Sequence, residues 1–251
     1  MMENNKTKNT ADISAKQFIE KLEAYQSPED LRKYRRDLKS GEREQFMGVP
    51  IGLVFTLSKG FVEMPPGEIR KLLDSPIHEV KAGGLSIIDK QAALKKTSES
   101  RLKELFDLYI KRTDRINDWK LVDVSCRYTV GRYLLDKPRD VLYRLARSKN
   151  IWERRIAIVS TWYFIRAGDV DDTFRIAEIL LNDDQDLIHK ATGWMLREAG
   201  KKDHQKQLAF LDKYAASMPR ITLRYAIERL DKKQQDYYMS IKKIRQTNIK
   251  S

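Results

Sequence analysis

The strongest constraint on how this chain folds is a recurrence. Arg127-Tyr-Thr-Val, Arg155-Ile-Ala-Ile, Lys190-Ala-Thr-Gly and Arg224-Tyr-Ala-Ile each set a cation at the head of a short small or apolar run. Successive members are 28, 35 and 34 residues apart, and Lys81, ahead of Ala82-Gly83-Gly84-Leu85, is a more loosely spaced earlier member. From Ser14 onward apolar residues return every three or four positions, as in Phe18, Ile19 and Leu22 or Leu31, Tyr34 and Leu38. That is the period of helices with one buried face.

An interval of roughly 30–45 residues holding two helices is the signature of a HEAT- or armadillo-like repeat. One pair of helices cannot bury its apolar face alone, so neighbouring pairs must stack. The expected fold is therefore all-α: an α-solenoid of stacked antiparallel helix pairs, with the recurring cations lining a concave basic groove. The helix punctuation agrees. Ser27-Pro28-Glu29-Asp30, Pro65-Pro66-Gly67-Glu68, Ser75-Pro76 and Lys137-Pro138-Arg139-Asp140 read as helix starts, and Ala199-Gly200 as a stop. If the cations stand at helix starts, the free N–H groups and dipole of the first turn reinforce them as anion sites. The opposing expectation is that each cation pairs with an acid of the neighbouring repeat. We expect a polar, disordered segment over 1–12, a single HEAT-like repeat domain over 13–240 and a basic tail over 241–251.

Charge narrows the partners. There are 49 Lys and Arg against 36 Asp and Glu, a formal net charge of +13, and such an excess speaks to partners rather than to fold. Nucleic acid leads, because each Lys or Arg contact to a phosphate releases counterions. The sequence has no apolar span long enough for a membrane helix and no signal-peptide pattern. A single cysteine, Cys126, excludes an internal disulfide. The histidines His78, His189 and His204 lack metal-ligand spacing, and isolated glycines make no phosphate loop. The expectation is a cytoplasmic monomer that needs no metal and no small-molecule cofactor.

The chemistry concentrates in Trp119, Asp123, Trp152, Arg155, Lys190 and Trp194. Trp119, Asp123 and Arg127 follow one i, i+4 register, Trp152 stands three before Arg155, and Trp194 four after Lys190. Singly, each tryptophan fits a core and Asp123 fits a cap or an ion pair. Together on successive repeats they make an aromatic and anionic pocket within a basic groove. Such a pocket stabilises a cation through π faces and a carboxylate. On DNA, a matching reaction is loss of an alkylated purine, which leaves an oxocarbenium-like sugar.

Several motifs carry a family resemblance. Asp118-Trp-Lys-Leu-Val-Asp123, Asn150-Ile-Trp-Glu-Arg-Arg-Ile-Ala-Ile158, Lys190-Ala-Thr-Gly-Trp-Met-Leu-Arg-Glu198 and the run from Met218 to Leu230 resemble the AlkD-like DNA alkylation repair proteins. The stretches Phe46 to Gly52 and Leu72 to Leu85 resemble the N-terminal signatures of that family. The resemblance implies HEAT-like repeats and a monofunctional DNA glycosylase. Its substrates would be cationic alkylpurines, such as 3-methyladenine and 7-methylguanine, in duplex DNA during base excision repair. It implies that Asp123 is the carboxylate that stabilises the sugar cation and orients water. Trp119 and Trp194 would pack against the sugar, and Arg155 would contact the adjacent backbone. Lys190, Arg224, Trp152, Arg127 and Lys81 are further expected DNA contacts. Two departures stand out: Pro50-Ile51-Gly52 replace a segment that commonly carries Arg or Gln, and Lys120 occupies a position that is often acidic. Two other functions stay open on the sequence, a non-catalytic protein binding bent or branched DNA and a protein-interaction scaffold.

Overall fold

The computed structural model describes residues 13–37 and 44–241. The expected polar segment 1–12 and all but the first residue of the basic tail lie outside them. Within the described residues every regular element is a helix or helical turn, and the sole β-bridge joins Gln45 to Ile77. The chain is all-α, as the periodicity demands. The described residues fall into two compact units, one ending at Arg115 and the other starting at Ile116. The division follows the short 3-10 turn Thr113–Arg115.

The first unit contains α1 (Ala15–Glu23), α2 (Pro28–Asp37), α3 (Ile51–Ser58), α4 (Pro66–Asp74), α5 (His78–Ala93) and α6 (Glu99–Lys111). Helix α5 is its axis, buried along most of its length and packed on α3, α4 and α6. Gly83 makes room for the Phe18 ring of α1, since a Cβ there would lie 2.3 Å from two ring carbons. Glu79, fully buried on α5, accepts N–H bonds from Met47 (3.0 Å), Gly48 (2.8 Å) and Val49 (3.1 Å). Gly48 turns with φ +83, a left-handed conformation that leaves these N–H groups convergent on one carboxylate. That contact holds the Phe46–Pro50 segment, which leads into α3, against α5.

The second unit contains α7 (Trp119–Cys126), a π-helical continuation over Arg127–Arg132, α8 (Asp140–Ala146), α9 (Ile151–Ala167) and α10 (Asp171–Leu180). It continues with α11 (Asp186–Gly200), α12 (His204–Tyr214), α13 (Arg220–Ile227) and α14 (Lys232–Ser240). One layer is α7, α9, α11 and α13, each packed on the next. Helices α8, α10 and α12 form a second layer against it, and α14 packs on α13. Ion pairs stitch successive pairs together: Arg139 reaches Asp169 and Asp172, and Arg154 forks onto Asp183 at 2.5 and 3.2 Å.

Close approach within the first layer repeats. A Cβ on Gly131 would fall 2.4 Å from the Ser160 carbonyl oxygen and 2.7 Å from the Tyr163 Cβ. A Cβ on Gly193 would fall 2.5 Å from both the Thr222 oxygen and the Tyr225 Cβ. In each case a glycine meets residues 29 and 32 positions later. This is repeat geometry that the cation spacing only approximates.

The recurring cations stand elsewhere than expected. Arg155, Lys190 and Arg224 are each the fifth residue of their helix, and Arg127 follows α7 at its C-terminal end. The free N–H groups belong to the first four residues, so these cations and the helix N-termini are not combined as anion sites.

Overpacking gives the first prediction. Gly193→Ala is expected to lower stability by about 1–2 kcal/mol, the overpacking cost less the gain in helix propensity. Gly52→Ala in α3, where nothing lies within 4 Å, is expected to be neutral or stabilising. Urea denaturation of both variants checks the contrast.

Candidate functional site

Asp118 caps α7 by accepting the Lys120 N–H at 2.6 Å. That cap starts the helix at Trp119 and sets Trp119 and Asp123 one turn apart on the same face. After Cys126 the helix widens into its π-helical stretch, a distortion found often at functional sites. Asn150 caps α9 in the same way, accepting the Trp152 N–H at 2.9 Å, and so sets the phase of Arg155.

Arg155 is 5% exposed, and each of its three guanidinium nitrogens donates a hydrogen bond. Its Nε donates to Asp123 Oδ1 at 2.9 Å and Nη2 to Oδ2 at 2.8 Å, while Nη1 donates to the Leu187 carbonyl at 2.6 Å. The fork is the strong, planar form of a charge-assisted hydrogen bond. It orients both carboxylate oxygens yet leaves a second lone pair on each. The sequence reading makes Arg155 a clamp on the DNA backbone; in the structure its donors hold a carboxylate and the carbonyl of Leu187 near the start of α11, the pairing between neighbouring repeats that the opposing expectation describes. The acid it pairs with is Asp123.

Around this pair lies a cavity of about 480 Å³ lined by Trp119, Asp123, Arg155, Leu187, Lys190, Ala191, Trp194, Arg197 and Tyr225. The volume suits a nucleobase or sugar-sized group. Trp119 is 42% exposed and Tyr225 36%, high values for such rings, and both line the cavity. Arg155 and Lys120 stand beside the Trp119 ring, 5.8 and 5.6 Å from its centroid. Lys120, the departure from an acidic residue, is exposed there and points its cation at the ring. Arg197 is tied by ion pairs to Glu198 and Glu228.

Of the expected site residues, the structure brings Trp119, Asp123, Arg155, Lys190 and Trp194 to one cavity. Arg224 is exposed beside Tyr225 without lining it, and Trp152 is half-buried in the first turn of α9, also outside the lining. Lys81 is buried in the first unit with its ammonium 2.6 Å from Glu44. Arg197 and Tyr225 were not singled out on the sequence. Arg197 had a signal, three residues after Trp194 on the same face. Tyr225 had none, because its position depends on Gly193 letting α13 close on α11. In the first unit, the departure at Pro50-Ile51-Gly52 starts α3, which carries no charged residue and exposes Leu53.

Comparison with known proteins gives the family. The family model described as DNA alkylation repair enzyme matches residues 18–230, and the chain belongs to that family. A solved structure, a predicted DNA alkylation repair enzyme from Enterococcus faecalis, shares the fold with a TM-score of 0.64 at 17% identity. The match covers 82% of this chain and 97% of that one. No curated protein sequence matches the chain. Among the described residues no helix is long and apolar enough to cross a membrane.

The ion pair predicts a non-additive response. Arg155→Met leaves Asp123 without its partner in a largely buried place and is expected to lose about 3 kcal/mol. Adding Asp123→Leu should restore part of that loss, because no unpaired charge then remains. A double-mutant cycle by chemical denaturation measures the coupling.

Proposed function

We propose that this protein is a DNA glycosylase that excises cationic alkylpurines from duplex DNA. The observation that carries the reading is a carboxylate fixed on two sides, by Arg155 and by its own helix, at the wall of a cavity between Trp119, Trp194 and Tyr225. In the reaction the bond from C1′ to the base nitrogen breaks and its electron pair neutralises the cationic base. Water adds to C1′ and loses a proton. The base already carries its charge, so no general acid is required, and the difficult step is to stabilise the electron-poor sugar. Asp123 supplies negative charge there and accepts a hydrogen bond from the attacking water through a free lone pair. The tryptophans present π faces to the same developing charge.

The remaining cations suit the polyanion rather than the sugar. Lys190 lines the cavity and is placed to hold a phosphate beside the lesion; Arg224, exposed on α13, adds attraction to the backbone. Arg155 acts through Asp123, as a positioning residue.

Replacing Asp123 by Asn keeps the size of the side chain and removes the charge. Excision of 7-methylguanine from a methylated duplex is expected to slow by about 10²–10³-fold, the scale for one preorganised electrostatic contact. Affinity for undamaged duplex should change little. Free base is measured by chromatography in single-turnover reactions. An Asn variant as fast as the wild type removes Asp123 from the mechanism, and a wild-type protein that binds duplex but releases no base makes it a binding protein instead.

A further inference from the structure

Trp162 follows Arg155 by seven residues on α9, which keeps both on one stripe of the helix, about 10 Å apart along the axis. On the adjoining segment Arg127 follows Asp123 by four. The seam that joins Asp123 to Arg155 therefore carries a second contact further along. The Arg127 guanidinium lies 4.9 Å from the centre of the Trp162 ring. Arg166, one turn beyond Trp162, lies 4.9 Å from the same ring. Tyr128 meets Trp162 edge-on at 6.0 Å and Tyr163 at 5.6 Å, fixing the aromatic support.

The charge balance here differs from that of the neighbouring arginines. Arg139, Arg154, Arg155 and Arg197 each face a carboxylate. Arg127 and Arg166 have no ion-pair partner among the described residues, and the Nε of Arg127 is buried without a hydrogen-bond acceptor. Two like charges gathered on one ring repel each other, and a buried donor left unmade is unfavourable. An oxygen-rich anion bound beside the pair offsets that repulsion. Guanidinium groups fit phosphate oxygens well through their planar forks.

We propose that Arg127, Trp162 and Arg166 form a seat for one DNA backbone phosphate, a few nucleotides from the lesion held at Asp123. The inference rests on the Asp123 cavity being the lesion site. The offset of about 10 Å along α9 is short enough for one strand to occupy both. Trp162 holds the two arginines in place, and the seat adds affinity and register without reading sequence.

The test uses lesion-bearing duplexes, each with a single uncharged methylphosphonate linkage moved stepwise to either side of the lesion. Binding is read by fluorescence anisotropy across a salt series. With the wild type, neutralising one position a few nucleotides from the lesion should weaken binding about fivefold at 0.15 M salt, the counterion-release effect of one phosphate. Arg166→Gln, at an exposed position, should weaken binding to unmodified duplex by a similar factor. It should reduce the magnitude of the log–log salt slope by about 0.9 and be insensitive to the linkage that matters for the wild type. An Arg166→Gln protein with unchanged affinity and slope overturns the seat. So does a variant as sensitive as the wild type at every linkage. If base release depends on Asp123 in either of those cases, the glycosylase reading stands and the seat alone fails. A wild type that neither binds duplex nor releases base ends both.

Discussion

One guanidinium ties the site together. Arg155 on α9 grips Asp123 on α7 with two donors and the carbonyl of Leu187 on α11 with the third, so a single side chain spans three successive helices of one layer. Its planar fork matches a carboxylate in a way an ammonium cannot. With Arg155 buried and engaged, Asp123 has one orientation, and the cavity has one negative wall among several cations. Fixing charge in advance of a reaction is what makes an electrostatic contribution to catalysis large.

The layer that carries this pair is held close by small residues. Gly131 sits against Ser160 and Tyr163, and Gly193 against Thr222 and Tyr225, so the helix axes approach to where only hydrogen fits. Side chains on the exposed face then converge instead of splaying. Tyr225 reaches the cavity for this reason, its Cβ resting where a Gly193 side chain would otherwise be. The opposite layer is bound differently, by ion pairs such as Lys206 to Asp171 and by the tilted ring contacts of Phe174, Phe210 and Tyr214, which line a cavity of their own.

Much of this was legible beforehand. The three-and-four periodicity and the caps led to an all-helical repeat, and helix starts at Pro28, Pro66 and Asp140 agree with their punctuation. The i, i+4 register of Trp119 and Asp123, and that of Lys190 and Trp194, correctly placed these residues on shared faces. What misled was the position of the cations within their helices. Apolar periodicity fixes the phase of a helix better than its first residue, so a residue one turn inside looks like a start. The burial of Lys81 was not legible for another reason: an isolated lysine reads as solvent-facing until an acid such as Glu44 is placed beside it.

The sequence by itself determined the helices, their pairing interval, the excess of positive charge and the family to which the chain belongs. These follow from local spacing and composition, which need no knowledge of what lies across a helix interface. Only the tertiary structure decided which cations are free and which are spent. Arg155, Arg154 and Arg139 are neutralised by acids about 30 residues away, whereas Arg127 and Arg166 stand by one tryptophan ring and have no ion-pair partner among the described residues. Charge pairing across helices depends on register to within an ångström. That register is set by packing, in which a glycine opposite a carbonyl oxygen decides how near two helices come.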